Sequence, residues 1–146
     1  MTLKRIGAAV ATLMMAGGFV LAVAQPAAAD ATCPAQNFCA WALGRHEGTR
    51  WQTPGNDINW HDGLGGMAGD RIADDDVSWA NNGSPCSGCD HVRVYRNVGY
   101  DAITLCIHRG QWVTIGQGGA AQNAGNLGSS HRWGGECGAG EPQIPG

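Results

Sequence analysis

The chain has 146 residues and a formal net charge of −3, with nine Lys or Arg against twelve Asp or Glu. Two of the basic residues, Lys4 and Arg5, precede a leading apolar run, so the remainder holds seven Arg, no Lys and twelve acidic side chains, a net charge of −5. That balance excludes a nucleic-acid-binding surface and favours solubility. Glycine supplies 24 residues, far above the usual roughly 7%. With six Trp, this points away from helices and toward a small β-fold of short strands and tight turns.

In chain order, Lys4 and Arg5 lead into an apolar run over residues 6–24, followed by Gln25, Pro26 and three Ala. This pattern predicts a secretory signal peptide over residues 1–29, cleaved after Ala29. An uncleaved anchor is the rival reading; Gly17, Gly18 and the small-residue site favour cleavage. No later segment is apolar enough to span a membrane. The expectation is one extracellular domain over residues 30–146, monomeric and free of membrane and nucleic-acid partners.

Strands are expected at 37–42 (NFCAWA) and 49–53, followed by a long ordered loop over 54–73 held down by Ile58, Trp60, Leu64, Met67 and Ile72. The segment DDDVSWANNG then reaches a connection over 83–90 that contains Pro85 and a C-x-x-C pair. Next comes DHVRVYRNVGYDAITLCI, a hairpin with its turn at Asn97, Val98 and Gly99. In its first arm Val92, Val94 and Arg96 share one face and His91, Arg93 and Tyr95 the other; in its second, Ile103, Leu105 and Ile107 share a face. A strand at 111–115, a Gly- and Asn-rich loop to Asn126 and a last strand at 129–133 complete the chain before its tail.

The chain is internally duplicated. Trp41, His46 and Gly48 repeat the spacing of Tyr95, Tyr100 and Ala102, and each set predicts a ring folded back over a hairpin corner. A second echo follows each corner, with Asp74-Asp75-Asp76-Val77-Ser78-Trp79 matching Gly125-Asn126-Leu127-Gly128-Ser129-Ser130. Two units of about forty residues follow, near 37–82 and 91–135, patterned like a pair of Greek keys.

Six cysteines after the signal imply disulfides, with 15 connectivities open. The local set is preferred: Cys33 with Cys39, Cys86 with Cys89, and Cys106 with Cys137. The last closes the longest loop and should stabilise most, by about 3 to 4 kcal/mol on the chain-entropy model.

Taken together, CPAQNFCAW, the two aromatic corners, DDDVSWANNG, the hairpin and SSHRW resemble the secreted peptidase-inhibitor family typified by the Streptomyces metalloproteinase inhibitor. The resemblance spans nearly all of the chain after the signal. It implies a βγ-crystallin-like fold and inhibition of an extracellular protease rather than catalysis. This chain departs from the corner pattern at Ala102, where Gly is usual, and at His46, where an aromatic is usual.

The resemblance also brings a calcium signature, two Asn or Asp, two variable positions, then Ser or Thr and Ser. Asp74, Asp75 and Ser78 match it in the first unit and Asn126, Ser129 and Ser130 in the second; Trp79 and Gly125 break it. Calcium takes six to eight oxygens, so these sets need completion by backbone and water. The competing reading is that the Asp and Ser side chains bond turn amides. No cofactor is required, and calcium is the one candidate.

The inhibitory segment is assigned to residues 83–91, including Pro85, Cys86, Ser87, Gly88, Cys89, Asp90 and His91, because a stapled loop has little ordering entropy left to lose in a protease cleft. The C-x-x-C pair is read as a structural staple rather than a redox or zinc pair, since no βαβ context and no second ligand pair accompany it. Neither H-E-x-x-H nor G-x-S-x-G occurs among the five His and the serines, so no enzyme is expected. A calcium-stabilised binding module is the second reading. A toxin-like antimicrobial is the third, with no basic amphipathic surface behind it.

Overall fold

The structure is a computed structural model and describes residues 32–64, 67 and 72–144. The signal-peptide expectation for residues 1–29 lies outside the described residues.

The described chain is all-β but for single turns of helix. Its strands are β1 (Asn37–Trp41), β2 (Arg50–Thr53), β3 (Ser78–Asn82), β4 (His91–Asn97), β5 (Asp101–Ile107), β6 (Trp112–Thr114) and β7 (Ser130–Gly134). A four-residue helix, α1 (Ala121–Ala124), interrupts the glycine-rich loop that was expected to be irregular, and it buries Ala121 and Ala124. All named strand pairings are antiparallel, in two sheets ordered β2-β1-β3-β6 and β5-β4-β7.

The two halves exchange strands. β6, expected within the second unit, pairs with β3 of the first instead, Trp79 opposite Val113. In return the segment after β2 runs beside β7: Asp57 N–H donates to His131 O at 3.0 Å, and His131 N–H to Asp57 O at 2.9 Å. Each sheet thus has its outer position filled from the other half, and each places its half's last strand beside its first.

Both predicted corners form. The Trp41 and His46 rings meet edge to face with centroids 4.9 Å apart, and Tyr95 and Tyr100 lie 5.8 Å apart. The backbone repeats as well, with φ of 61° at His46 and 82° at Gly48 against 63° at Tyr100 and 58° at Ala102. Glycine holds this left-handed position without strain in the first copy, while Ala102 carries a Cβ there. One serine locks each corner. Ser78 Oγ accepts from His46 N–H at 3.0 Å and donates to Leu43 O at 2.7 Å; Ser130 Oγ accepts from Tyr100 N–H at 3.3 Å and donates to Asn97 O at 2.7 Å.

These matched bonds correct the second echo by one residue. Ser78 corresponds to Ser130, not Ser129, so Asp74 corresponds to Asn126, and both take positive φ, 58° and 59°.

The core lies between the sheets. Phe38, Ala40 and Trp79 from one meet Val92, Val94, Leu105 and Ile107 from the other, with Trp60, Met67, Ile72 and Val113 filling the space. Burying each large side chain contributes about 1.5–3 kcal/mol. In the long loop only part of the expected anchor set is inside, for Ile58 is 56% and Leu64 70% exposed. Arg96, expected to share the Val92 face, is exposed where a register shift between Val94 and Tyr95 bends the strand. Outside the first sheet Trp41, Ala80, Cys33 and Cys39 form a second cluster.

Two buried polar groups join the halves. Asp76 Oδ1 accepts from Gly128 N–H at 2.7 Å and Leu127 N–H at 3.1 Å, and Oδ2 accepts from Trp79 Nε1 at 2.7 Å. Burial pushes its carboxyl up to about 7 against the opposing pull of those bonds. A side chain at Gly128 would meet Asp76 and Trp60 at 2.4 Å, so the clasp requires glycine there. His131 is fully enclosed; Trp60 Nε1 donates to its Nδ1 at 2.9 Å and its Nε2 donates to Gly55 O at 2.8 Å. Both bonds fit the neutral ring, and burial lowers its pKa to about 4.

Asp76→Ala leaves three inward-facing donors without an acceptor and should cost about 3 kcal/mol in urea unfolding. His131, with its pKa depressed, contributes stability that is complete above about pH 6.5 and lost as pH falls toward 4. The stability gap between the parent and His131→Phe should therefore shrink by about 3 kcal/mol from pH 7.5 to pH 4. A gap independent of pH would contradict the neutral buried ring.

Candidate functional site: a stapled loop and its footing

The cysteines join as Cys33–Cys39, Cys86–Cys89 and Cys106–Cys137, the three pairs the sequence favoured. The middle pair closes the connection between β3 and β4. Pro85, Ser87, Gly88 and Cys89 are exposed there and Cys86 is half-buried. Gly88 sits at φ 78°, a turn geometry that favours glycine.

The footing of this loop is buried and polar. Asn81, fully enclosed in β3, spans both limbs: its Oδ1 accepts from Gly83 N–H at 3.0 Å, and its Nδ2 donates to Asp90 O at 2.8 Å and Ile107 O at 3.0 Å. The neighbouring Asn82 Nδ2 donates to Cys33 O at 2.7 Å. Gly83 packs so tightly that a side chain there would meet the Trp133 ring at 2.4 Å. On the return limb Asp90 pairs with Arg109 at 3.4 Å, and its hydrogen bond from His91 holds its carboxyl below the ordinary value.

The structure divides the assigned segment. Residues 84–89 form the accessible tip, whereas Asp90 is partly covered and His91 is the first, buried residue of β4. Asn81 carries no signal in the sequence beyond its place in a strand. Its role comes from the chain returning at Asp90, which only the fold shows.

Beside the loop, Arg93 ties down the tail. Its guanidinium donates to Glu141 Oε1 at 2.8 Å, Gly135 O at 3.1 Å and Glu136 O at 2.8 Å. A cavity of about 510 Å³ lies there, lined in part by Gly88, Arg93, Tyr95, Arg132 and Trp133.

The calcium candidates are placed differently. Ser78 and Ser130 spend their hydroxyls locking the corners, and Asp75 and Asn126 are exposed. Asp74 and Ser129 meet across the two halves, where Ser129 Oγ donates to Asp74 Oδ1 at 3.2 Å and lies 3.2 Å from His61 Nε2. The meeting pair offers a carboxylate and a hydroxyl, a small part of the six to eight oxygens calcium takes.

Strands, staples and footing together define an all-β protein with a disulfide-closed, exposed loop between β3 and β4. Residues 26–107 match the model of peptidase inhibitor family I36, a stretch that includes the whole of that loop and more than half the chain. The chain belongs to this family of peptidase inhibitors, and its partner in general is a protease. Comparison with curated proteins and with solved structures gives no match. Among the described residues no helix is long and apolar enough to cross a membrane.

Proposed function

We propose that the protein inhibits an extracellular peptidase, a metallopeptidase by preference, by seating residues 84–89 in the enzyme's cleft. Residues 1–29 act as the export signal and 30–146 as one βγ-crystallin-like domain of two Greek keys. The return of the last strand beside the first in each sheet supports that architecture.

The observation that carries the reading is the exposed, disulfide-closed tip anchored at both limbs by the buried Asn81 side chain. A loop already held in shape loses little entropy on binding, and that is where a protein inhibitor gains affinity. No catalytic arrangement is invoked, and the partner's chemistry is met by shape and backbone groups.

A calcium-binding module is the second reading, favoured only by the approach of Asp74 and Ser129. There Asp74 would supply charge and Ser129 a neutral oxygen, with backbone and water completing the shell.

The test uses the chain from Asp30 with its disulfides formed, against thermolysin-like and subtilisin-like proteases on peptide substrates, with and without calcium. Stoichiometric inhibition of one class is expected. The double variant Cys86→Ser, Cys89→Ser should weaken it at least about tenfold, equivalent to about 1.4 kcal/mol, with little change in melting temperature. Failure to slow either class would sink the inhibitor reading. A melting temperature raised by calcium in the parent but not in Asp74→Ala would support the second reading.

A further inference from the structure

At the foot of the loop two histidines meet that no sequence spacing links. Val92 pairs with Ile107, so the next positions outward are His91 and His108. Their rings lie edge to face with centroids 4.8 Å apart, and His91 Nε2 stands 3.0 Å from His108 Nδ1.

The outer nitrogens of the pair are fixed by acceptors. His91 Nδ1 faces Asp90 Oδ1 at 2.9 Å and His108 Nε2 faces Gln143 Oε1 at 2.9 Å. An ionised carboxylate only accepts. The Gln143 amide is oriented by its own Nε2, which donates to Gly138 O at 3.2 Å. Both outer nitrogens therefore carry hydrogen, and a neutral imidazole has only one to place. That leaves two nitrogens without hydrogen 3.0 Å apart. Such a contact is stabilised by a cation shared by the two nitrogens, either a proton or a metal ion lying off the line that joins them.

We propose that His91 Nε2 and His108 Nδ1, with the Glu136 carboxylate as third donor, bind one divalent transition-metal ion. Glu136 Oε2 lies 3.7 Å from His91 Nε2 on an exposed side chain free to swing inward. With metal–nitrogen bonds of about 2.0–2.1 Å, a 3.0 Å separation subtends an angle of about 91–97° at the metal. That angle suits tetragonal Cu²⁺ or Ni²⁺, and opening the pair by a few tenths of an ångström suits Zn²⁺. Two imidazoles argue against calcium, which takes oxygen donors.

The outer shell is already built. Asp90 on His91 is the carboxylate–histidine arrangement that fixes a ligating ring, with Arg109 holding the carboxylate in turn, and Gln143 does the same for His108. Cys137 Sγ lies in the same cluster, but its bond to Cys106 keeps it from acting as a thiolate ligand. An ion here would tie the return limb of the loop to β5 and the C-terminal tail.

The test is calorimetry of the metal-free, disulfide-bonded, untagged chain from Asp30, titrated separately with Cu²⁺ and with Zn²⁺. One Cu²⁺ per chain at micromolar affinity or tighter is expected, weakened at least about tenfold by His108→Ala. Exposed Glu136→Gln should weaken it about threefold with an unchanged melt, giving a readout that does not depend on tolerance of a change at His108. In proton NMR, substoichiometric Cu²⁺ should broaden the His91 and His108 rings before those of His46, His61 and His131. Absence of binding, affinity unchanged in both variants, or broadening centred on His61 would each overturn the proposal. None of these readouts depends on peptidase inhibition.

Discussion

The buried Asp76 carboxylate holds the fold together at the point where its two halves meet. It leaves the first half just before β3 and accepts the N–H groups of Gly128 and Leu127, just before β7 of the second. Its own carbonyl accepts from Asn126 N–H at 2.7 Å, so one residue fixes the entry to both last strands. Those strands carry the two serines that lock the aromatic corners, and the corners set where each hairpin turns. The price is a carboxyl whose burial opposes its charge, offset by Trp79 and two backbone donors.

The same logic of buried polar joints extends to the stapled loop. Asn81 does for the stapled loop what Asp76 does for the halves, satisfying groups on two limbs from one enclosed side chain. Around it Gly83 admits the Trp133 ring, Arg93 gathers the tail, and Cys106–Cys137 binds that tail to β5. A chain with a small core gains rigidity from such joints and from covalent staples where apolar burial is limited. The result is a loop whose tip is exposed while its base is tied by buried hydrogen bonds.

Much of this was legible in the sequence because it is local. The corner spacing of Trp41 to His46 and Tyr95 to Tyr100, the period-two hairpin and the short-range cysteine pairs all follow from neighbours along the chain. The strand exchange was not legible. β6 is three residues long, and no pattern within Trp112–Thr114 says that its partner is β3 rather than a strand of its own half. The second echo slipped by one residue because Ser129 and Ser130 look alike in sequence. Only hydrogen bonds to Tyr100 and Asn97 separate the corner serine from its neighbour. Ile58 and Leu64 read as anchors by hydropathy alone, yet the loop turns them outward. The meeting of His91 with His108 was not legible, since the turn expected at residues 97–99 sets His91 opposite Leu105, and it is the Asn97–Asp101 pairing together with the register shift between Val94 and Tyr95 that brings His108 there.

The most direct measurement for the loop-presenting account is a hydrogen-exchange footprint of the protein bound to the peptidase it inhibits. Protection gained on the Ser84, Cys86, Ser87, Gly88 and Cys89 amides, with little change on the face around His61 and Asp74, is the predicted result. Unchanged exchange at those five amides beside protection elsewhere would contradict it.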